Sequence, residues 1–292
     1  MRAVQIDVHG GPEVLTVREV ADPQPGPGEV LIRTVASSLN PVDWKTRAWD
    51  VGPAFPMTLG WDLAGVVVGG SSARFAVGDR VIAMSAQVAT GRGTWAELVS
   101  LPEHLVTRAP ATLTLAEAAT LPLAGTTAVQ ALAALKLESR TRLLVTGGAG
   151  AVGGLAVQLA RRAGVAVDAL VSRPEHLAPV RELGAETVVD MASDLPEGVY
   201  DAVLDTAGAD VSAALAAGGL YVSISDDPLP DVPGAAKSYV QESEKDLAEL
   251  VQLVDAGRLR VRVAAHHPFT EVRAAHEQFE AGGLSGKVVL LF

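Results

Sequence analysis

A glycine-rich turn between a short apolar strand and an amphipathic helical segment constrains this chain more than any other feature. The segment Thr141–Arg173 reads TRLLVTGGAGAVGGLAVQLARRAGVAVDALVSR. Strand-like Leu143–Thr146 is followed by glycines 147, 148, 150, 153 and 154, and apolar residues then recur at helical spacing. The pattern predicts a strand, a tight turn, a helix and a second strand, Val165–Val171.

Each glycine of such a turn has its own purpose in a βαβ unit that binds a dinucleotide. One lets the chain reverse, one lets the backbone approach a pyrophosphate, and Gly153 lets the helix pack closely on the strand. The helix start offers unpaired N–H groups and the positive end of its dipole to an anion. Glycine turns that bind nothing are common, but the strand and helix on either side favour a dinucleotide. The expected contacts are Gly148, Gly150, Ala151, Val152 and Gly153.

Composition bounds the class of protein. The 292 residues carry a net charge of −11, with 23 basic and 34 acidic side chains and no cysteine. This predicts one large or two medium domains, no nucleic-acid partner, no disulfide and no thiol nucleophile. No apolar run approaches the roughly 18 residues of a membrane span, and no signal segment precedes the first strand-like residues. We expect a cytoplasmic protein that acts on a small molecule, with no membrane partner.

The chain changes character near residue 114. Residues 1–110 contain short strand-like segments with frequent turns, typical of a barrel-like β domain. Thr114–Leu137 predicts two helices broken near Pro122 and Gly125. Strand and helix patterns alternate afterwards, which predicts a parallel sheet covered on both faces. Further predicted elements are a surface excursion at Asp226–Gly234 and a strand at Arg260–Ala264.

Seven segments together carry a resemblance to a known family. They are Asn40–Arg47, Leu59–Val66, Gly78–Val81, Leu121–Thr127, the glycine turn, Asp205–Gly208 and Gly286–Val289. In this order and spacing the chain resembles the zinc-independent quinone oxidoreductase branch of the medium-chain dehydrogenase/reductases.

The resemblance implies an α/β fold of two domains with the active site in the cleft between them. Residues 1–115 and 265–292 would form a GroES-like β domain, and residues 116–264 a Rossmann domain with a doubly wound parallel sheet. A homodimer is expected by analogy. The chain is short for the family, and the resemblance places the shortfall around Asp226–Lys237, a region that commonly takes part in subunit pairing.

Two positions argue against a metal. Zinc-dependent relatives carry Cys where this chain has Asn40, and G-H-E-x-x-G where it has Gly60–Gly65 with Trp61 in place of His. Zinc needs thiolate, imidazole or carboxylate ligands in number, which Asn40 and Trp61 do not supply. The expected hydride transfer therefore has no metal, which favours quinones and enones over simple alcohols.

The choice of cofactor depends on the end of the second strand. NAD enzymes place an acid there, but Asp168 lies in mid-strand, where another partner is the alternative. Ser172 and Arg173 follow the strand, and a hydroxyl beside a guanidinium suits a 2′-phosphate. This predicts NADPH, the alternative being an ordinary surface arginine. His176, one turn on, either adds to the site or is solvent-exposed.

The remaining cofactor roles come from the resemblance, each with an alternative. Asn40 would line the nicotinamide end of the cleft, or form an Asx turn into a helix. Thr127 would orient the nicotinamide, or bond back to a helix carbonyl. Asp205 and Gly208 would lie against the cofactor, or form a plain turn. Lys287 would approach the cofactor, or be a solvated edge-strand lysine.

The segment after Asn40 is the expected substrate site. Trp44, Trp49 and Trp61, with Lys45 and Arg47 nearby, would give aromatic walls for a flat conjugated ring, although core packing is the competing account. Asp43 is expected to be a first-turn acid that the helix dipole favours. The proton donor is not expected to be a tyrosine, because all three tyrosines lie in the Rossmann part. Lys45 is the nearest candidate, and water is the alternative.

Three functions follow from these expectations. The first is an NADPH-dependent reductase of quinones or activated alkenes. The second is a biosynthetic enoyl or polyketide tailoring reductase with one narrow substrate. The third is an NADPH-binding protein without catalysis.

Overall fold

The computed structural model describes residues 1–52, 54–191, 193 and 195–292. The strands are β1 (Arg2–Ile6), β2 (Thr16–Glu19), β3 (Glu29–Ser38), β4 (Met57–Thr58), β5 (Asp62–Gly70), β6 (Arg80–Met84), β7 (Leu98–Pro102), β8 (Val106–Arg108), β9 (Arg142–Val145), β10 (Ala166–Val171), β11 (Val188–Asp190), β12 (Tyr200–Asp205), β13 (Leu215–Ser223), β14 (Ala236–Lys237), β15 (Val263–Pro268) and β16 (Lys287–Leu291). The helices are α1 (Pro41–Ala48), α2 (Gln87–Thr90), α3 (Leu115–Ala118), α4 (Pro122–Ala134), α5 (Ala151–Arg162), α6 (Leu177–Glu182), α7 (Glu244–Asp255) and α8 (Val272–Glu280).

The chain forms two compact units. The first contains Met1–Leu123, Glu242–Gly282 and Lys287–Phe292, and the second contains Ala124–Gln241 and Gly283–Gly286. These bounds differ from the predicted domain limits at residues 116–123, 242–264 and 283–286.

Hydrogen bonds explain why residues 242–264 lie with the first unit. Both the backbone N–H and the hydroxyl of Thr112 donate to Asp255 Oδ1, at 3.1 and 3.0 Å. Arg74 also pairs with Glu244 at 2.9 Å. Both ends of α7 are thereby joined to the β-rich part of the chain.

The first unit is the β-rich part that the sequence predicts. A three-stranded sheet has the order β2-β1-β4, and a larger sheet has the order β15-β16-β3-β5-β6-β8, with β7 also paired to β3. Alternate residues of β3 face inward, so Val30 and Ile32 join Leu63, Val81 and Leu101 in one apolar core.

The last strand has an interior position in this unit. β16 lies between β15 and β3, parallel to the former and antiparallel to the latter. Lys287, its first residue, is only 3% exposed. The alternative of a solvated edge-strand lysine was therefore wrong, because both neighbouring strands are present.

The second unit is a six-stranded parallel sheet of order β11-β10-β9-β12-β13-β14. This is the strand order of dinucleotide-binding sheets, with the reversal between β9 and β12. β9 is central and its residues Leu143, Leu144 and Val145 are fully buried, because parallel strands pack helices or loops on both faces.

Within the described residues 200–237, no α-helix lies between β12 and β13 or between β13 and β14, where a crossover helix is usual. Between β12 and β13 the chain makes only the 3-10 turn Ser212–Ala214. Leu229 and Val232 pack against the cluster that contains Tyr200 and Tyr221. The segment predicted as a surface excursion therefore contributes apolar cover to the sheet.

The two helices predicted in Thr114–Leu137, with a break near Pro122, were confirmed: α3 ends at Ala118 and α4 begins at Pro122. The further break predicted near Gly125 was wrong, since one glycine costs a helix only about 1 kcal/mol and packing offsets that amount. The strand predicted at Arg260–Ala264 begins at Val263 and extends to Pro268, where β16 supplies the hydrogen bonds.

Arg47 joins α1 to α8 inside the first unit. Its guanidinium donates to Gly10 O at 3.0 Å and to Glu280 Oε1 at 2.7 Å, and lies 3.0 Å from His276 Nδ1. Burial, together with the Arg47 charge, lowers the pKa of His276 to about 4. Arg47 is thus a buried residue that links α1 to α8. This structural role is separate from the substrate contact predicted for Trp44 and Trp49.

We expect Arg47→Met to destabilise the protein by about 2 kcal/mol, less than a fully buried pair loses, because the Glu280 side chain is 34% exposed. The substitution leaves the Glu280 carboxylate and Gly10 carbonyl without their donor. Urea unfolding measures the effect. Arg18→Met is the control, since its pair with Asp7 is solvent-exposed and such pairs contribute about 0.2–1 kcal/mol. Equal losses for the two variants would contradict the assignment.

Candidate functional site

The glycine turn follows β9 and begins α5, as the sequence predicts. Gly147 has φ +63°, which reverses the chain. A Cβ on Gly153 would lie 2.3 Å from Gly147 O, so only glycine lets the helix pack this closely. A Cβ on Gly148 would lie 2.9 Å from the Ala169 Cβ of β10. At Gly150 the nearest atom would be Gly147 O at 3.2 Å, the longest of these three distances.

The helix after the turn presents its amino end at the carboxyl edge of the sheet. Gly150 is the N-cap, and Ala151 and Val152 form a half-buried first turn. The first N–H groups of a helix have no partner within it and favour an anion. Arg161 and Arg162 occupy the last turn, and Gly164 ends the helix with φ +82°.

The carboxyl ends of β9 and β12 are joined by side-chain hydrogen bonds. Thr146 Oγ1 donates to Asp205 Oδ1 at 2.6 Å and accepts from Thr206 N at 2.9 Å. Asp205 also accepts from Ala207 N, Ala209 N and Ser223 Oγ, so its carboxylate is occupied within the protein. Asp205 therefore shapes the edge where the strand order reverses, and direct contact with a cofactor stays a prediction.

Gly208 lies in the loop that Asp205 holds. Its φ of +73° is one that side-chain-bearing residues rarely adopt, and a Cβ there would lie 2.0 Å from Asp227 Oδ2. The alternative role predicted for Gly208, that of a glycine needed for a turn, therefore accounts for its backbone conformation. Its contact with a cofactor remains a prediction.

Ser172 and Arg173 follow β10 at the same edge of the sheet. Both are exposed, and the Arg173 guanidinium lies 3.9 Å from the Glu175 carboxylate. A Cβ on Gly283 would lie 2.3 Å from Arg173 Cζ, so the guanidinium rests against a glycine backbone. A hydroxyl and a half-exposed cation next to the glycine turn fit a phosphorylated ribose.

Asp168 and His176 differ from this pair. Asp168 is buried and accepts from Arg142 at 2.8 Å, from Tyr200 OH at 3.1 Å and from Thr187 N at 2.9 Å. It is thus a structural acid with other partners, as the sequence alternative held. His176 is 7% exposed, and its Nδ1 has no hydrogen-bond partner among the described residues. The alternative that His176 is solvent-exposed was therefore wrong, because the 3-10 turn Pro174–His176 directs its side chain inward.

Thr127 lies on α4 and is 6% exposed. Burial on a helix is compatible with orienting a nicotinamide and with a role in packing. Its cofactor role stays a prediction.

Asp62 forms the centre of a buried polar network in the first unit. Its Oδ2 accepts from Asn40 Nδ2 at 2.8 Å, from Lys287 Nζ at 3.2 Å and from the Ser38 hydroxyl. Its Oδ1 accepts from Leu123 N at 2.7 Å. Asp62 and Lys287 are both buried, so each charge depends on the other.

Asn40 takes part in this network and also begins α1. Its Oδ1 accepts from Lys287 Nζ, and its Nδ2 donates to Asp62 and to Ser38 O. Its backbone N–H donates to Asp43 Oδ2 at 2.7 Å, which fits a helix start. Asn40 is 2% exposed, so its observed contacts are internal ones and its place beside a nicotinamide stays a prediction.

Asp43 is an uncharged acid at neutral pH. Burial raises its pKa to about 8, against the hydrogen bond from Asn40 and the Lys287 charge. Its Oδ1 has no hydrogen-bond partner among the described residues. The sequence predicts a first-turn acid here, which the structure shows, but the dipole does not keep it ionised.

The tryptophans predicted to form the substrate site differ in their exposure to solvent. Trp44 and Trp49 form an edge-to-face pair with centroids 5.5 Å apart, and Lys45 Nζ lies 5.8 Å from both rings. Trp49 is 43% exposed, whereas Trp61 is buried. The pair with Lys45 forms a partly exposed aromatic surface, and Trp61 belongs to the packed interior. Substrate contact by any of the four stays a prediction.

Asp62 is the residue that sequence reasoning missed. The signal was a lone carboxylate at the start of the apolar run DLAGVVV, in a chain with serines at 37 and 38. A charge in such a strand needs a buried partner. Lys287, 225 residues away, is that partner.

Metal ligands are sparse in what the structure describes. Over residues 1–52, 54–191, 193 and 195–292, no three His, Cys, Asp or Glu side chains form a group that could hold a metal ion. In the same ranges, no helix has both the length and the apolarity to cross a membrane.

Comparisons with known proteins cover the whole chain. The alcohol dehydrogenase GroES-like domain model matches residues 26–111, and the zinc-binding dehydrogenase model matches residues 183–290. The chloroplast envelope quinone oxidoreductase homolog of Arabidopsis thaliana is 33% identical and aligns with 99% of this chain and 98% of its own. The NADPH-dependent alkenal/one oxidoreductase, chloroplastic, of the same plant is 33% identical over 99% and 79%.

Similarity to a solved structure also extends over the whole chain. A mycobacterial protein complexed with NADPH superposes with a TM-score of 0.85 at 27% identity, covering 100% of both chains. The domain matches and the parallel sheet confirm the expected fold class, a GroES-like β domain with a Rossmann-like domain.

Gly153→Ala should destabilise the cofactor-free protein by about 1–3 kcal/mol, the usual cost of overpacking, because the new methyl group meets Gly147 O at 2.3 Å. Urea unfolding without nucleotide measures it. Gly150→Ala, in the same turn with φ −67° and a nearest atom at 3.2 Å, is the matched control. A loss for Gly150→Ala as large as for Gly153→Ala would refute the packing role.

Asp43 should make stability fall as pH rises from about 4 to 8. Over that window the unfolded chain releases the Asp43 proton and the folded protein keeps it, with a slope of at most about 1.4 kcal/mol per pH unit. Asp43→Asn removes this contribution. Unfolding free energies at pH 5, 6.5 and 8 should therefore fall less steeply for Asp43→Asn than for the wild type. Asp50→Asn, at an exposed position after the same helix, should keep the wild-type slope.

Proposed function

Because the chain belongs to the quinone oxidoreductase-like branch of the medium-chain dehydrogenase/reductase superfamily, we propose that it is an NADPH-dependent reductase of quinones or α,β-unsaturated carbonyl compounds that works without zinc. The coarser assignment, an oxidoreductase that uses a nicotinamide cofactor, follows from its relatives. The acceptor, the NADPH preference and the absence of zinc are the proposal.

The observation that carries the cofactor choice is the position of Arg173. The guanidinium is half-exposed after β10, at the edge that holds the glycine turn, and Ser172 is beside it. The buried acid Asp168 is committed to Arg142 and Tyr200. A planar, always charged group suits a 2′-phosphate, whereas an NAD site needs a carboxylate at this place. Names of relatives that include NADPH support the same choice.

The case for a zinc-free reaction rests on what occupies the metal-ligand positions. Asn40 and Asp62 both bind the Lys287 ammonium, and Trp61 is packed in the interior. An internal cation bound by these two residues disfavours a second cation in the same place. The name of the second matching domain model refers to zinc, but the residues here do not favour it.

Most of the predicted site residues have a role in this proposal, and Trp61, which is packed in the interior, has none. NADPH supplies the hydride. The glycine turn from Gly148 to Gly153 and the loop Asp205–Gly208 would hold its pyrophosphate and ribose, and Thr127 would orient the nicotinamide. Asn40, fixed by Asp62 and Lys287, would line the reacting end, and Trp44, Lys45 and Trp49 would face a conjugated acceptor.

Two alternatives remain from the sequence. A tailoring enoyl reductase would act on one thioester or biosynthetic intermediate and leave simple quinones untouched. One observation favours a non-catalytic NADPH-binding protein, namely that the predicted substrate segment has no tyrosine that could donate a proton. All three tyrosines lie in the parallel-sheet unit, outside the β-rich one. The homodimer and the cytoplasmic location belong to the proposal on analogy and composition alone.

Arg173→Ala should weaken NADPH binding by about 1–3 kcal/mol, the scale of charge-assisted hydrogen bonds, and leave NADH binding unchanged. Titration calorimetry with both nucleotides checks this. Arg162→Ala, which removes an exposed arginine from the last turn of α5, should affect neither. Equal affinities for NADPH and NADH that Arg173→Ala leaves unchanged would overturn the cofactor choice.

Turnover tests the reaction itself. NADPH oxidation with a panel of quinones and enones supports the proposal. Tight NADPH binding with no turnover on either class would favour the non-catalytic alternative.

A further inference from the structure

Reduction of an enone needs a proton as well as a hydride. Hydride addition at the β-carbon leaves an enolate, and the α-carbon must then gain a proton. A group with an exchangeable proton, held beside the acceptor, speeds such a step by about 10²–10⁴-fold. Reduction of a quinone depends less on such a group, because the hydroquinone oxygens exchange protons with water.

Two of the three tyrosines, Tyr200 and Tyr221, are poor candidates for this donor. Tyr200 and Tyr221 are buried in the core of the parallel-sheet unit, and burial raises the pKa of Tyr200 to about 12 and raises that of Tyr221 as well. Lys45 lies over the faces of Trp44 and Trp49, where ring contacts hold its ammonium.

Lys287 is built into the first unit as a buried ammonium. Its side chain is 4% exposed, and it donates to Asn40 Oδ1 and Asp62 Oδ2. An ammonium has three N–H bonds, so these two acceptors leave one donor without a partner among the described residues. Asp62 is fixed in turn by Leu123 N and Ser38, which aligns the lysine.

The charges of this cluster balance when Asp43 carries a proton. Asp62 and Lys287 then form one ion pair, and Asp43 is a neutral neighbour bonded to Asn40 N. Desolvation keeps the Asp43 carboxyl protonated, so it does not compete with Asp62 for the ammonium. Lys287 is therefore the cation of the cluster, bound by Asp62 and Asn40.

We propose that Lys287 is the catalytic proton donor for enone reduction, held in place by Asp62 and Asn40. This rests on the proposed function, which places Asn40 at the reacting end. After the hydride reaches the β-carbon, one N–H bond of the Lys287 ammonium breaks and a C–H bond forms at the α-carbon, using the enolate electron pair. Lys287 is left as a neutral amine and regains its proton from water.

Lys287→Arg is the sharpest variant, because arginine keeps the positive charge and does not give up a proton. We expect the ratio of enone kcat to quinone kcat to fall at least about tenfold relative to the wild type. NADPH affinity, measured by calorimetry, should stay within about threefold of the wild type. Lys245→Arg on α7, whose side chain is 83% exposed, is the matched control and should leave the ratio unchanged.

A stereochemical measurement separates a donor from a structural lysine. Reduction of 2-methylcyclohex-2-enone in D₂O labels the α-carbon of the product. A fixed donor delivers deuterium to one face, so the wild type should give an enantiomeric excess that Lys287→Arg loses. A purely structural role would leave the excess intact.

Three outcomes overturn the inference. One is a racemic α-carbon from the wild type, which needs no variant and decides the matter even where Lys287→Arg fails to fold. Another is an unchanged rate ratio and an unchanged excess for folded Lys287→Arg. The third, no wild-type turnover of either acceptor class, overturns the proposed function together with this inference, whereas quinone turnover with a racemic enone product overturns only the inference.

Discussion

The first unit depends on one buried ion pair, between Asp62 and Lys287. Neither charge is stable alone in an interior that excludes water, so each strand that carries one must place it against the other. Lys287 is the first residue of the last strand and Asp62 the first of β5, so the pair joins the two strands that flank β3. Asn40 lies between them and begins α1, so the same contacts fix the helix with the aromatic residues.

The second unit depends on close packing at the glycine turn. The 2.3 Å that would separate a Gly153 Cβ from Gly147 O shows that α5 lies against the turn itself. Thr146 and Asp205 join the neighbouring strand ends, and a helix amino end, a hydroxyl and a guanidinium lie at that one edge. A parallel sheet makes this possible, because the carboxyl ends of all its strands lie on the same side.

Local sequence patterns predicted most of the elements and failed where distant residues decide the outcome. The glycine turn, the helix that follows it and the second strand all follow from short-range rules that the structure obeys. Gly125 within α4 and the later start of β15 were mispredicted, because tertiary packing and strand pairing override propensity there. The burial of His176 and Lys287 was missed for the same reason, since polarity alone suggests exposure.

The sequence by itself determined the dinucleotide turn and the candidate residues Ser172 and Arg173, because each follows from spacing within a few turns of chain, and its resemblance to a known family implied the fold class. Only the tertiary structure decided that Asn40, Asp43, Asp62 and Lys287 form one cluster. Their separations in sequence reach 247 residues, and no local rule relates residues that far apart. The physical reason is desolvation: a buried charge selects its partner by proximity in the folded protein, and that proximity exists only once the strands have paired.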